Sequence, residues 1–82
     1  DLISIVKKKL EQNFKIKNII IEDKSFLHKK HTNNQVGKFH LKLNINSDEL
    51  KKLSRIDSNK KIYKVLNDEL KEYIHSIQIL IN

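Results

Sequence analysis

The apolar residues of this chain change their spacing from one segment to the next, and the order of those spacings restricts the fold to a succession of helices and strands. Leu2, Ile3, Val6, Leu10 and Phe14 fall on one helical stripe, with Lys7, Lys8 and Lys9 largely outside it, so an amphipathic helix is expected over residues 2–13. Ile16 to Glu22 is rich in isoleucine and reads as a strand, buried on both faces through Ile19, Ile20 and Ile21. From Asp23 to Gly37 the periodicity disappears, leaving a long polar loop that holds His28, His31 and the sole glycine of the chain. Phe39, Leu41, Leu43 and Ile45 then alternate with His40, Lys42, Asn44 and Asn46. This is the pattern of a half-buried strand, and its parity points His40 outward.

Ser47 is placed to cap a short helix, with Asp48 and Glu49 favourable at its N-terminus and Leu50 and Leu53 facing inward. Asp57 or Ser58 is the expected cap of a longer helix that carries Ile62, Val65, Leu66 and Leu70 inward and ends near Tyr73. Tyr63 and Tyr73 are expected to pack on that helix. His75 to Ile81 reads as a closing strand with Ile77, Ile79 and Ile81 on one face, and parity alone sets His75 beside them at the edge of the core. The order is helix, strand, strand, short helix, helix, strand. A right-handed crossover between the second and third strands makes them parallel, which gives an α+β fold: a mixed three-stranded sheet covered on one face by helices.

Composition narrows the function. A chain of 82 residues, 38% hydrophobic, supports one core, so residues 1–82 are expected to form a single domain. With no cysteine, disulfides, thiolate metal sites and cysteine nucleophiles are excluded, and any metal must bind through imidazole or carboxylate. The longest apolar run, Ile19 to Ile21, is far too short to span a bilayer. The chain opens on Asp1 rather than methionine, which leaves a removed targeting segment open. A net charge of +7 is compatible with nucleic acid, yet the lysines are dispersed, Arg55 is the sole arginine, and abundant Lys, Asn and Ile match the codon usage of an A+T-rich genome. A solvated basic surface is the expectation. Carboxylate pairs such as Glu22–Asp23 and Asp68–Glu69 are sequence neighbours that diverge on a strand or helix, and no glycine-rich phosphate loop exists, so no enzyme is expected.

Three segments carry a family pattern. Glu22-Asp23-Lys24-Ser25-Phe26-Leu27-His28 fits D-x-S-x-x-H, and Phe39-His40-Leu41-Lys42-Leu43 follows the family's H-F-x-V-x-[IV]-S. In Ile62 to Ile77, the residues Tyr63, Leu66, Glu69, Leu70, Ile74 and His75 fall in step with Y-x-x-L-x-x-E-L-x-x-x-[IV]-H-[AS]-[LI]. From about Glu22 to Ile77 the chain resembles the BolA-like proteins, and the resemblance implies their KH-like α/β fold. The chain departs from them in three places: Ser58-Asn59-Lys60 stands at the family's Arg-His-Arg, Leu50-Lys51-Lys52 at its F-x-G turn, and its T-P-x-x-W extension has no counterpart after Asn82.

The resemblance implies an adaptor that pairs with a monothiol (CGFS) glutaredoxin and shares a [2Fe-2S] cluster with it and glutathione, in iron–sulfur cluster transfer and iron homeostasis. Carried over by position, the ligands from this chain are His75 and, in the loop, His28, with His31 the alternative. Imidazole ligation raises a cluster's potential and requires neutral rings, so the bridge is expected to loosen on acidification. The isolated chain is expected to be a cofactor-free monomer, in the cytosol, nucleus or mitochondrion. The alternative is a DNA-binding transcriptional regulator that uses a basic helical surface of Lys51, Lys52, Lys60, Lys61 and Lys64. With Gly37 as its sole glycine, the chain cannot build the G-x-x-G clamp of a KH module.

Overall fold

The computed structural model describes residues 1–25 and 39–82. Helix α1 (Leu2–Asn13) begins where the Asp1 carboxylate accepts the N–H of Ser4 at 2.8 Å, and it buries Val6 and Leu10, as its stripe predicts. Strand β1 (Asn18–Asp23) starts two residues later than the isoleucine content implies and runs antiparallel to β2 (Phe39–Asn46). After helices α2 (Asp48–Lys51), α3 (Arg55–Val65) and α4 (Asn67–Glu72), strand β3 (Ile74–Ile81) returns parallel to β2. The sheet order is β1-β2-β3, so the alternating strand is central and the mixed three-stranded sheet is the expected one.

The core lies between one sheet face and the helices. Leu41, Leu43 and Ile45 of β2 meet Ile19, Ile79, Val6, Leu10, Leu50, Ile62 and Leu66 there. Among the described residues no element packs on the other sheet face, which corrects the expectation of a doubly buried β1: Ile19 is 6% exposed but its neighbour Ile20 is 52% exposed. A strand on a one-sided sheet buries alternate residues whatever their hydrophobicity.

The helical region departs from expectation at two points. The cap of α3 is Ser54, whose Oγ accepts the N–H of Asp57 at 3.0 Å, and not Asp57 or Ser58, which lie inside the helix. The expected single helix is also broken at Leu66, whose backbone leaves helical geometry, φ −96° and ψ 17°. The break lets Leu66 stay fully buried while Glu69 of α4 turns towards α1. There Lys9 Nζ reaches both carboxylate oxygens of Glu69, at 3.0 and 2.8 Å. Ser47 caps α2 as expected, accepting the Leu50 N–H at 3.2 Å. It also donates its Oγ hydrogen to Lys15 O at 2.6 Å, and its N–H to Asn82 O at 3.1 Å. No helix among the described residues is long and apolar enough to cross a membrane.

Candidate functional site

Along most of their length β2 and β3 pair residue for residue, but at their start the register jumps. Phe39 lies opposite Ile74 and His40 opposite Ser76, so His75 is an extra residue of β3 with no partner in β2. Such a bulge resets the alternation of the strand that contains it. Ile74 and Ile79 are therefore buried while His75 is exposed, where uninterrupted parity would align His75 with Ile77 and Ile79. Placement at the edge of the core is thereby corrected.

The same offset brings a second imidazole alongside. The rings of His40 and His75 stand edge to face, with centroids 5.0 Å apart and planes at 63°. His40 is half-buried and held at three points. Its carbonyl accepts the Lys24 N–H at 2.7 Å, its N–H donates to Ser25 Oγ at 3.1 Å, and its ring Nδ1 lies 2.6 Å from Ser76 Oγ. Ser25 is fixed in turn by an Asx turn in which its N–H donates to Asp23 Oδ1 at 2.8 Å. The alternation of β2 predicts an outward strand residue at His40. Its direction off the core is right, but its pairing with His75 depends on a bulge that hydrophobic patterning does not encode.

His75 opens onto a cleft of about 340 Å³ shared with Tyr63, Asn67, Leu70, Lys71, Ile74 and Ser76. Tyr63 and Tyr73 are 46% and 53% exposed, so they border the surface instead of packing the helix, because Ile62 and Leu66 take the inward positions. His28 and His31 lie outside the described residues, in the segment that joins Ser25 to Phe39, and both of these residues neighbour His40 in the chain or by hydrogen bond. Among the described residues no group of three or more His, Cys, Asp or Glu side chains is gathered to hold a metal.

Two ion pairs set the local electrostatics. The Glu69 carboxylate, hydrogen-bonded to Lys9, holds the Lys9 ammonium above its ordinary range. Near the histidines, Lys24 Nζ contacts Glu22 at 2.8 Å, and this hydrogen bond holds the Glu22 carboxyl below its ordinary range. The five lysines of the expected basic surface are all exposed, but four of them, Lys51, Lys52, Lys60 and Lys64, divide among separate grooves. Lys60 and Lys64 flank one with Ile56, Tyr63 and Asn67; Lys51 borders another with Arg55; and Lys52 lines a third with Lys15 and Lys17.

A three-stranded mixed sheet with helices on one face and a histidine bulged out at the start of the terminal strand defines a small α+β class, and the comparisons agree on which. The family profile described as BolA-like protein matches residues 10–82, and the chain belongs to that family. It is 29% identical over 75 residues to the DNA-binding transcriptional regulator BolA of Haemophilus influenzae, covering 92% of this chain and 70% of that one. Among solved structures it is similar to the BolA domain of SufE1 from Arabidopsis thaliana, with a TM-score of 0.81 and 29% identity over 96% of this chain and 87% of the other. BolA1 from the same plant shares the fold, with a TM-score of 0.83 and 21% identity over 99% and 89% of the two chains.

Proposed function

We propose that this protein is a non-enzymatic adaptor that pairs with a monothiol glutaredoxin and shares a [2Fe-2S] cluster with it in iron–sulfur cluster transfer. The observation that carries the proposal is the exposure of His75 on the β3 bulge, which frees an imidazole from the core without disturbing the apolar alternation behind it. The donor set is compatible with such a group: imidazoles from this chain are neutral ligands, and a cysteine-free chain leaves the thiolates to the partner and to glutathione. His75 and His28, or His31 in its place, would hold the cluster, which when bound supplies one-electron redox chemistry and transferable iron. This chain's own contribution is to anchor the rim. Ser25 and Lys24 fix the His40 backbone at the point where the segment bearing His28 and His31 rejoins the sheet.

Mixing the protein with a monothiol glutaredoxin, glutathione, iron and sulfide should give a visible spectrum that differs from that of the glutaredoxin alone. His75→Ala should abolish the difference. A wild-type mixture without such a spectrum, or a His75→Ala variant that retains it, refutes the assignment.

A second reading is supported by the name of the bacterial relative and by the groove between Lys60, Lys64 and the exposed Tyr63 and Ile56. On that reading the α3 surface contacts DNA phosphates. Binding that weakens with salt and shows no sequence preference would mark it as simple charge attraction, whereas a preferred sequence retained near physiological salt would establish a regulator.

A further inference from the structure

The pairing of His40 with His75 invites a use that neither reading above requires. We propose that these two imidazoles form a bidentate site for a borderline divalent cation of the zinc, copper or nickel type, on the apo protein and without a partner. Three observations carry it.

The first is distance. An ion bound ~2.0–2.1 Å from one nitrogen of each ring at a tetrahedral angle holds the two ring centroids roughly 5 Å apart. The observed separation is 5.0 Å, the spacing such an ion requires. The second is the support behind the ligand. Metal-binding histidines are oriented by a hydrogen bond on their other ring nitrogen, and His40 Nδ1 has that bond with Ser76 Oγ at 2.6 Å, which assigns Nε2 to the ion. The backbone of His40 is pinned by Lys24 and Ser25, so the point from which its ring projects is fixed before any ion arrives. The third is the lack of a better donor. In a chain without cysteine, imidazole is the side chain best suited to such ions, since carboxylates favour harder ones. Water would complete the coordination on the exposed side of His75.

The site stands on the apo chain, and its test is separate from that of the shared cluster. Purified apo protein is titrated with zinc chloride alone, followed by calorimetry and by the NMR resonances of the histidine rings. One equivalent of Zn²⁺ should shift the His40 and His75 ring signals together. His40→Ala and His75→Ala should each weaken binding by about tenfold or more, and Ser76→Ala by a smaller factor, as loss of an orienting hydrogen bond does. Removing His28 and His31 together should leave the affinity unchanged. The wild-type ring signals decide the matter even if a variant unfolds. Rings that do not respond to Zn²⁺, an affinity untouched by His40→Ala, or an affinity lost with His28 and His31 would each overturn the proposal.

Discussion

At position 47 one residue, through its hydroxyl and its backbone N–H, joins three parts of the chain. Ser47 is fully buried, and its polar atoms are bonded to the linker after α1, the first turn of α2 and the carbonyl of Asn82. Ser47→Ala strands the Lys15 carbonyl and the Leu50 N–H together, so a loss of about 1–3 kcal/mol is expected in urea unfolding. An unchanged midpoint would show that water replaces the hydroxyl. Its capping role is legible in Ser47-Asp48-Glu49 before Leu50, because capping is local. Its bond to Lys15 is not, because nothing near residue 47 specifies which carbonyl the fold will bring to it. The same division holds for the histidines. The outward direction of His40 follows from alternation within β2, whereas its distance from His75 depends on how two strands far apart in sequence are registered.

Among the elements, β3 illustrates how one residue can be structurally supernumerary. Because Ile74 and Ser76 already sit opposite Phe39 and His40, deleting His75 leaves a strand whose remaining residues keep their faces. The shortened chain is expected to fold, with the amide spectrum of β2 largely preserved, and to lack the proposed metal and cluster binding. Collapse of the spectrum would mean that the bulge is needed for sheet closure. Helices α1 and α2 and strand β2 are readable from the sequence because periodicity and caps agree there. The α3 start is not, since Ser54, Asp57 and Ser58 can all cap, and only the packing of Ile62 and Leu66 selects Ser54. The break at Leu66 is hidden for a similar reason. The apolar residues on either side keep helical spacing, and it is the Glu69–Lys9 pair and the burial of Leu66 that accompany the turn. Leu66→Ala, which empties a fully buried site at that junction, should cost about 2–5 kcal/mol, measured as a shift in unfolding free energy.

At the scale of the molecule, two perturbed ionisations, those of Lys9 and Glu22, lie at opposite ends of the pH scale. The Lys9 ammonium, raised above 10.5, contributes stability that is present below that value and lost as pH climbs through the raised one. The Glu22 carboxyl, lowered below 4.5, contributes above that value and fades as pH falls through the lowered one. Between these limits the two pairs should give a flat profile, with an alkaline decline that Lys9→Met reduces, as read from urea midpoints against pH. Both pairs are partly solvated, so added salt should blunt these slopes. The topology also bears on rates. Strands β2 and β3 are joined through residues 47–73, so their parallel pairing must close a long stretch of chain, whereas the Ser47–Asn82 bond fastens its far end. A fastening made after closure stabilises the product more than the barrier. Ser47→Ala keeps that backbone bond but loses the hydroxyl's bond to Lys15 O, another fastening between distant parts of the chain. It should accordingly quicken unfolding while leaving the folding limb of a chevron nearly unmoved, making this buried serine a determinant of how long the folded state lasts.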